Sequence, residues 1–367
     1  MTDKLLSRYI GVSSTDIDED EIAAILIETG IFENIRVSTL PLLGGTELSV
    51  TVDEKWSILP LPVFVAGSDG ITAGAALIDA NAFGLNDKIF AVALLLPSGW
   101  MTSIAYINVA DDERSPSFRL STFISNQDKE NVDTSEDLVR KYPYFAFDFG
   151  AGFGFPVFPK AELSLGTRFR ERSIDDTETD VLKAPNSSRV IAVQTGLSYN
   201  SSDWDGVFLS QRSFNSEVAY NFGLVGDSFY GLAARVSWDQ PFFPGFRSSI
   251  KAAFSYAPDS PAAFEEGPSD VGITILTSDY SSPVLAGGAL GLEGRVVKFP
   301  FGSLSALASY QLFVSDSPLT GNDFAHGPVG GIRLYIAKVA IPALDIGVAY
   351  NIETSIVKAS FGIGMRM

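Results

Sequence analysis

The residues able to do chemistry are few. The 367-residue sequence has one histidine, His326, and no cysteine. A two-histidine metal site is therefore excluded, and so are disulfides, thiolate ligands and a cysteine nucleophile. His326 stands in a polar stretch and reads as a loop residue rather than as the base of a triad. Gly150, Gly152 and Gly154 lack the helix and lysine that a phosphate loop needs; they alternate with phenylalanines and read as close packing or curvature in a strand. The clusters Asp111-Asp112-Glu113, Asp175-Asp176 with Glu178 and Asp180, and Glu265-Glu266 would suit calcium or lipid headgroups, but none has EF-hand spacing. They read as solvated loop charge. The expectation is a protein that is not an enzyme and that has no cofactor and no metal. A net charge of −18 removes nucleic acid as a partner.

A second set of charges has a regular spacing. Arg168, Arg170, Arg172, Arg235, Arg247, Lys251, Glu293, Arg295, Arg333, Lys358 and Arg366 fall in segments where oily residues alternate with small or charged ones. With period two, each such segment is a strand with one oily and one polar face. The charges would then line an enclosed lumen, which the basic excess makes positive. Two uses remain open: they pair with acids across the lumen, or they form a selectivity ring.

The oily face is pronounced. Phe145, Phe147, Phe149, Phe153 and Phe155 alternate with Ala146, Asp148 and the three glycines; at the C-terminus Phe361, Ile363 and Met365 alternate with Ser360, Gly362, Gly364 and Arg366. Apolar residues are 46% and charged ones 19% of the chain. No apolar run approaches the ~20 residues of a membrane helix, but a membrane strand needs only ~10. Several segments run past ten, longer than strands of a soluble sandwich. The fold class expected is an all-β transmembrane barrel of about 16 antiparallel strands, with the phenylalanines facing lipid. Trp56, Trp100, Trp204 and Trp238 fall near strand ends, where an interfacial girdle would place them.

The boundaries lie near 58–67, 70–81, 85–96, 99–110, 115–125, 141–154, 158–173, 188–200, 205–221, 226–240, 244–257, 283–298, 302–314, 327–338, 342–351 and 354–367. The long connections (Asn126–Arg140, Ile174–Ser187, Pro258–Ser282, Ser315–His326) are all odd-numbered, and the even ones are short. That sorting matches short periplasmic turns and long outer loops. Residues 1–57 differ from the barrel at 58–367. Ser13–Asp16 offers helix caps, and Asp18–Glu21 suits a helix N-terminus. Ile22, Ile25, Leu26 and Thr29 share a helical face. Asn34–Leu40 and Thr46–Trp56 flank Gly44-Gly45 as a hairpin. This is a small α+β unit. No secretory leader is visible after Met1, and a mature or trimmed chain is expected.

Several motifs carry a family resemblance. Thr29-Gly30-Ile31-Phe32-Glu33-Asn34-Ile35-Arg36-Val37 resembles a POTRA helix-to-strand junction, and Leu48–Glu54 a last POTRA strand. Asp79, Asn81, Phe83 and Gly84 resemble a signature at the second barrel turn; Gly327–Leu334 and Ile346–Tyr350 resemble terminal hairpins. Together they are similar to the BamA/TamA superfamily of outer-membrane assembly and secretion barrels. The resemblance implies a periplasmic POTRA-like domain and a 16-stranded barrel in the bacterial outer membrane. The N-terminal domain and the C-terminus would be periplasmic. Partners would be outer-membrane lipid, unfolded outer-membrane protein clients and periplasmic proteins. The implied mechanism is a weak seam between Ile58–Gly67 and Thr354–Met367, at which client strands pair. Three departures stand out: the loop Pro258–Ser282 has Asp270-Val271-Gly272-Ile273 and no Arg-Gly pair, the last residue is Met367 rather than an aromatic, and one POTRA-like unit lacks its first strand. A passive pore or structural barrel without insertase activity is the alternative.

Overall fold

The computed structural model describes residues 6, 9–13, 17–28, 32–42, 45–54, 57–67, 70–85, 87–108, 115–175, 184–204, 209–277, 279–300, 302–318, 321–336 and 342–363. Helix α1 (Glu19–Glu28) precedes a two-stranded sheet of β1 (Phe32–Leu42) and β2 (Gly45–Glu54). Asp18 caps α1, its Oδ1 accepting from the Asp20 amide at 2.9 Å. The cap is thus not within Ser13–Asp16. Ile22, Leu26 and Phe32 form the small core over Val37, Leu48 and Val50. The side chain of Ile25 and residues Thr29–Ile31 of the junction motif lie outside the described residues.

The other sixteen strands form one closed antiparallel barrel. They are β3 (Ile58–Gly67), β4 (Gly70–Ala82), β5 (Asp87–Leu96), β6 (Gly99–Asn108), β7 (Ser117–Val132), β8 (Leu138–Phe158), β9 (Ala161–Ile174) and β10 (Ser188–Trp204), then β11 (Leu209–Val225), β12 (Phe229–Phe243), β13 (Phe246–Tyr256), β14 (Val284–Phe299), β15 (Gly302–Ser317), β16 (Gly321–Ile336), β17 (Pro342–Asn351) and β18 (Ile356–Ile363). We call the end where β3 starts and β18 finishes the terminal end, and the other the loop end.

Register fixes the two faces, because directly opposed residues share a side. Asp148 opposes Arg170, and Gly150 opposes Arg168. On the other parity Phe149 opposes Phe169 and Phe153 opposes Leu165. Phe149, Phe153, Leu165, Tyr220, Phe222, Leu290 and Leu292 are exposed on the outer face. Such a continuous apolar surface is stable only against an apolar medium. Its upper limit on β7–β8 is marked by the outward ion pair Lys141–Glu130 at 2.6 Å.

Two of the expected long loops are strand instead. Asn126–Arg140 shrinks to 133–137, because β7 and β8 stay paired as far as Val132 and Leu138. Ser315–His326 shrinks likewise, with Ser317 opposing Gly321. Polar residues fit these tall hairpins because, beyond the apolar belt, both faces meet water or partners. Lys141 with Glu130 and Asn131 with Arg140 show this directly. His326 is accordingly a β16 residue, not a loop residue. It is held by the Tyr310 hydroxyl at Nδ1 and by Glu353 at 3.1 Å from Nε2.

Candidate functional site: a filled lumen and a short seam

The polar face of the strands encloses the lumen, and the segment 257–283 between β13 and β14 folds into it. Two short 3-10 turns, Ala262–Phe264 and Pro268–Val271, shape this segment. Gly272 closes the second in the left-handed region, φ 76°. Val271, Ile273, Ile275, Leu276 and Tyr280 bury themselves against Leu285, Phe313, Ala325 and Ala349 of β14–β17. Ala263 packs against Tyr142, Tyr144 and Ala146 of β8, and Phe264 beside Val190 and Phe229. One loop therefore touches both sides of the barrel.

Specific bonds hold it there. The Tyr280 hydroxyl donates to Asp323 Oδ2 at 2.8 Å and meets Ser315 Oγ at 2.5 Å. The Thr274 amide donates to Gln311 Oε1 at 2.8 Å. Arg170 and Arg172 lie over the Phe264 ring, their Cζ atoms 4.5 and 4.9 Å from its centroid. Asn131 accepts from Arg140 Nε at 2.6 Å and donates to Ser281 Oγ at 3.0 Å; Ser281 in turn donates to Glu265 at 3.0 Å. The Glu265-Glu266 pair is thus not solvated loop charge. Glu265 is buried, with Arg140 at 4.0 Å. The loop's apolar residues draw it into the barrel, and the carboxylate goes with them.

Burial holds the Glu265 carboxyl above the usual range, against the opposing pull of Ser281 and Arg140. Burial raises Glu266 too, with Asp270 adding repulsion. A raised carboxyl favours the docked loop below the ordinary carboxylate pKa, and that contribution is lost as pH rises through the raised value. Amides of Val271–Thr277 should therefore exchange hydrogen faster near pH 8 than near pH 5, once intrinsic rates are divided out. Glu265→Gln with Glu266→Gln should flatten the difference. Equal protection at both pH values would refute this reading.

The lumen charges identified from spacing divide into two groups. Asp148 pairs with Arg172 and lies 3.7 Å from Arg170. Glu293, 5% exposed, accepts from Arg247 at 2.7 Å, Arg333 at 3.0 Å, Tyr335 at 2.8 Å and Ser305. Arg333 also reaches Asp345 at 2.8 Å, and Lys358 reaches Glu136 at 2.6 Å. Arg168, Arg235, Lys251 and Arg295 form no ion pair among the described residues. Arg366, Met365, Gly364 and Met367 lie outside the described residues, as do the side chain of Ile363, Trp56, the Trp204 side chain, Asp111–Glu113, Asp176, Glu178 and Asp180. Trp100 and Trp238 are exposed; Phe145 is exposed, while Phe147 and Phe361 are half-buried.

Spacing did not single out Arg140, Asn131, Tyr142, Asp148 or Glu265 as a connected set. Asn131, Arg140 and Glu265 fall in segments that read as loops, whereas Tyr142 and Asp148 lie in the expected strand 141–154, where spacing gives a face but no partner. The glycines of β8 do serve close packing: a Cβ on Gly150 would lie 2.9 Å from Ser121 Oγ, and one on Gly154 2.2 Å from the Glu162 carboxylate carbon. Asp79, Asn81, Phe83 and Gly84 make the β4–β5 turn, where Asp79 Oδ1 accepts from the Asn81 amide at 3.0 Å and Phe83 and Gly84 have φ of 58° and 69°.

The barrel closes where β18 meets β3. Among the described residues this junction has four residue pairs, Phe64–Gly67 with Ile363–Ser360. The neighbouring β17–β18 junction has eight, and β15–β16 sixteen. Phe64 and Phe361 cover the seam with an edge-to-face contact, centroids 6.2 Å apart. Beside the seam, between the inserted loop and β3–β7 and β16–β18, is a cavity of about 600 Å³ whose lining includes Val65, Thr72, Asp279 and Ser360.

The chain folds as a closed sixteen-stranded antiparallel barrel with a loop packed in its lumen, a fold similar to that of BamA and CdiB. The solved structures it resembles agree. BamA from Haemophilus ducreyi lacking POTRA domains 1–3 superposes with a TM-score of 0.62 at 13% identity, covering 94% of this chain and 77% of that one. CdiB from Acinetobacter baumannii gives 0.59 at 13%, covering 91% and 66%, and CdiB from Escherichia coli 0.58 at 13%, covering 91% and 68%. No protein-family model matches the sequence, and no curated protein matches it significantly.

Proposed function

We propose that this barrel resides in the bacterial outer membrane and assists the assembly, insertion or export of other outer-membrane proteins, without enzymatic chemistry. The single observation that carries this reading is the seam: among the described residues, which end at Ile363, four residue pairs join β18 to β3, against seven or more at every other junction. A sheet edge is a template for strand addition, and a seam this short costs little to open. In this reading residues 1–57 form a POTRA-like unit in the periplasm together with the C-terminus. The odd-numbered connections then face outward. The partners are outer-membrane lipid, unfolded client barrels and periplasmic proteins.

The cations Arg168, Arg235, Lys251 and Arg295, which form no ion pair among the described residues, favour a second reading, an anion-selective pore or structural barrel, in which the 257–283 loop is the gate. The two separate in liposomes. Assembly requires the purified protein to accelerate folding of a urea-unfolded client barrel. If client folding proceeds at the lipid-only rate while planar bilayers show anion-selective current, the pore is right and the assembly role is wrong.

A further inference from the structure

The lumen wall is not alike all round. Val63 opposes Gly74, Gly74 opposes Leu94, Leu94 opposes Met101 and Met101 opposes Ser125, so all share one side. Phe123, two residues from Ser125, packs against Tyr142 and Tyr144 beneath the inserted loop, which makes this the lumen side. Leu61, Ala76, Val92 and Leu96 have the same parity and join Val63, Leu94 and Met101 in one cluster. Every residue of that cluster comes from β3–β6, and none from the inserted loop. No charged residue has this parity in 59–65, 72–78, 90–96 or 99–105. The Ser103 hydroxyl, on β6, is spent on the Thr122 carbonyl at 3.0 Å. Leu59 and Phe90 carry the apolar strip toward the terminal end, where they are exposed. An apolar strip is out of place in a barrel lumen, which is polar as a rule.

At its loop end the strip runs into the cavity of about 600 Å³. Val65 and Leu96 line that cavity together with Ile273 and Leu276 of the inserted loop. Its volume falls in the range that holds a small ligand. Halfway round the sixteen strands from β4 and β5 lie β12 and β13, and there the lumen side changes character. Arg235 opposes Ala253 and Lys251 opposes Ser237, so these two exposed cations are diagonal neighbours on one face. On β9–β14 the lumen-facing residues that form no ion pair among the described ones include the cations Arg168, Arg235, Lys251 and Arg295 and the acids Glu217 and Asp239. Positive charge is in excess on this side.

We propose that this two-sided lumen binds an anionic lipid: an acyl chain lies along the β3–β6 strip toward the cavity, and the phosphate headgroup faces the cationic side, Arg235 and Lys251 foremost. The proposal goes beyond both readings above and depends on neither. An extended peptide fits the strip less well. β4 and β5 are paired on both sides, so the strip offers a peptide's amides no partners, and burying them unpaired is costly. An acyl chain has no such groups and gains by leaving water. The excess of cations selects an anionic headgroup over a zwitterionic one.

The test uses the full chain in phosphatidylcholine liposomes holding a trace of phosphatidylglycerol with a photoreactive diazirine on one acyl chain. Phosphatidylcholine bearing the same chain is the comparison. After irradiation, mass spectrometry locates the adducts. Both probes should label the outward residues Ala91 and Ala93, since any lipid touches them. Val92 and Leu94, on the lumen side of the same strand, should be labelled several-fold more by the phosphatidylglycerol probe. Arg235→Gln with Lys251→Gln should bring that lumen labelling down to the phosphatidylcholine level and leave the outward labelling unchanged; heat-modifiable migration checks that the barrel folds. Excess inorganic phosphate, which has no chain, should not displace the lipid. Adducts confined to the outward residues overturn the proposal, as does lumen labelling that ignores the headgroup or the two glutamine substitutions. Full displacement by inorganic phosphate would leave only a phosphate site and overturn it too. So would lumen labelling obtained with a diazirine-bearing client strand but with neither lipid, which would make the occupant a protein.

Discussion

Replacing Gly287 by leucine is expected to drive the 257–283 loop from the lumen and to raise single-channel conductance in planar bilayers by about an order of magnitude, toward that of an open sixteen-stranded tube. Gly287 is the point on β14 over which the loop crosses. A Cβ there would sit 2.6 Å from Ile273 Cγ1 and 2.9 Å from Val271 Cγ2. Those two side chains are among the loop's buried anchors, and they sit in a packed wall that cannot give way. The neighbouring Gly288 is the control. Its Cβ would meet nothing nearer than the Lys251 carbonyl at 3.7 Å, and its side chain points to the outer face. Gly288→Leu should leave the current at the native level. If Gly287→Leu conducts no more than Gly288→Leu, the loop is not what closes the lumen.

The barrel was legible because its cause is local: lipid outside and side chains inside impose period two on every strand, and Phe145–Phe155 carry that period openly. Strand number followed from counting hairpins. The tall hairpins β7–β8 and β15–β16 were hidden for the same reason. Beyond the lipid belt the outer face becomes polar, as at Lys141 and Glu130, so a strand there reads like a loop. The site was legible in pieces. Spacing placed Arg170, Arg247, Glu293 and Arg333 on one face, but cannot say that Glu293 is shared by Arg247 and Arg333 from strands on either side of β14 and β15. The inserted loop was hidden altogether. Its anchors Val271, Ile273 and Ile275 alternate as a short strand would, which does not tell that they pack inside the barrel, and Glu265-Glu266 looks solvated until its neighbours are known.

Glu293 gives the second large effect. Its carboxylate gathers Arg247 of β13, Ser305 of β15, and Arg333 and Tyr335 of β16, so one side chain ties four strands on the lumen side. Glu293→Ala removes the charge that two guanidiniums face. Arg333 keeps Asp345; Arg247 loses this carboxylate in a partly dry wall. Breaking a buried pair from one side costs about 3–5 kcal/mol, and the lower end applies because Arg247 retains some solvent contact. Urea titration of the protein in liposomes should show that loss as a lower midpoint. Arg247→Met combined with Glu293→Leu should recover much of it, since an apolar pair of similar volume demands no desolvation of charge. The coupling between the two sites should therefore be large in a double-mutant cycle. Single and double variants that unfold at additive midpoints would mean that Glu293 and Arg247 are neighbours that do not support each other, and that the β13–β16 wall is held by its backbone ladder alone.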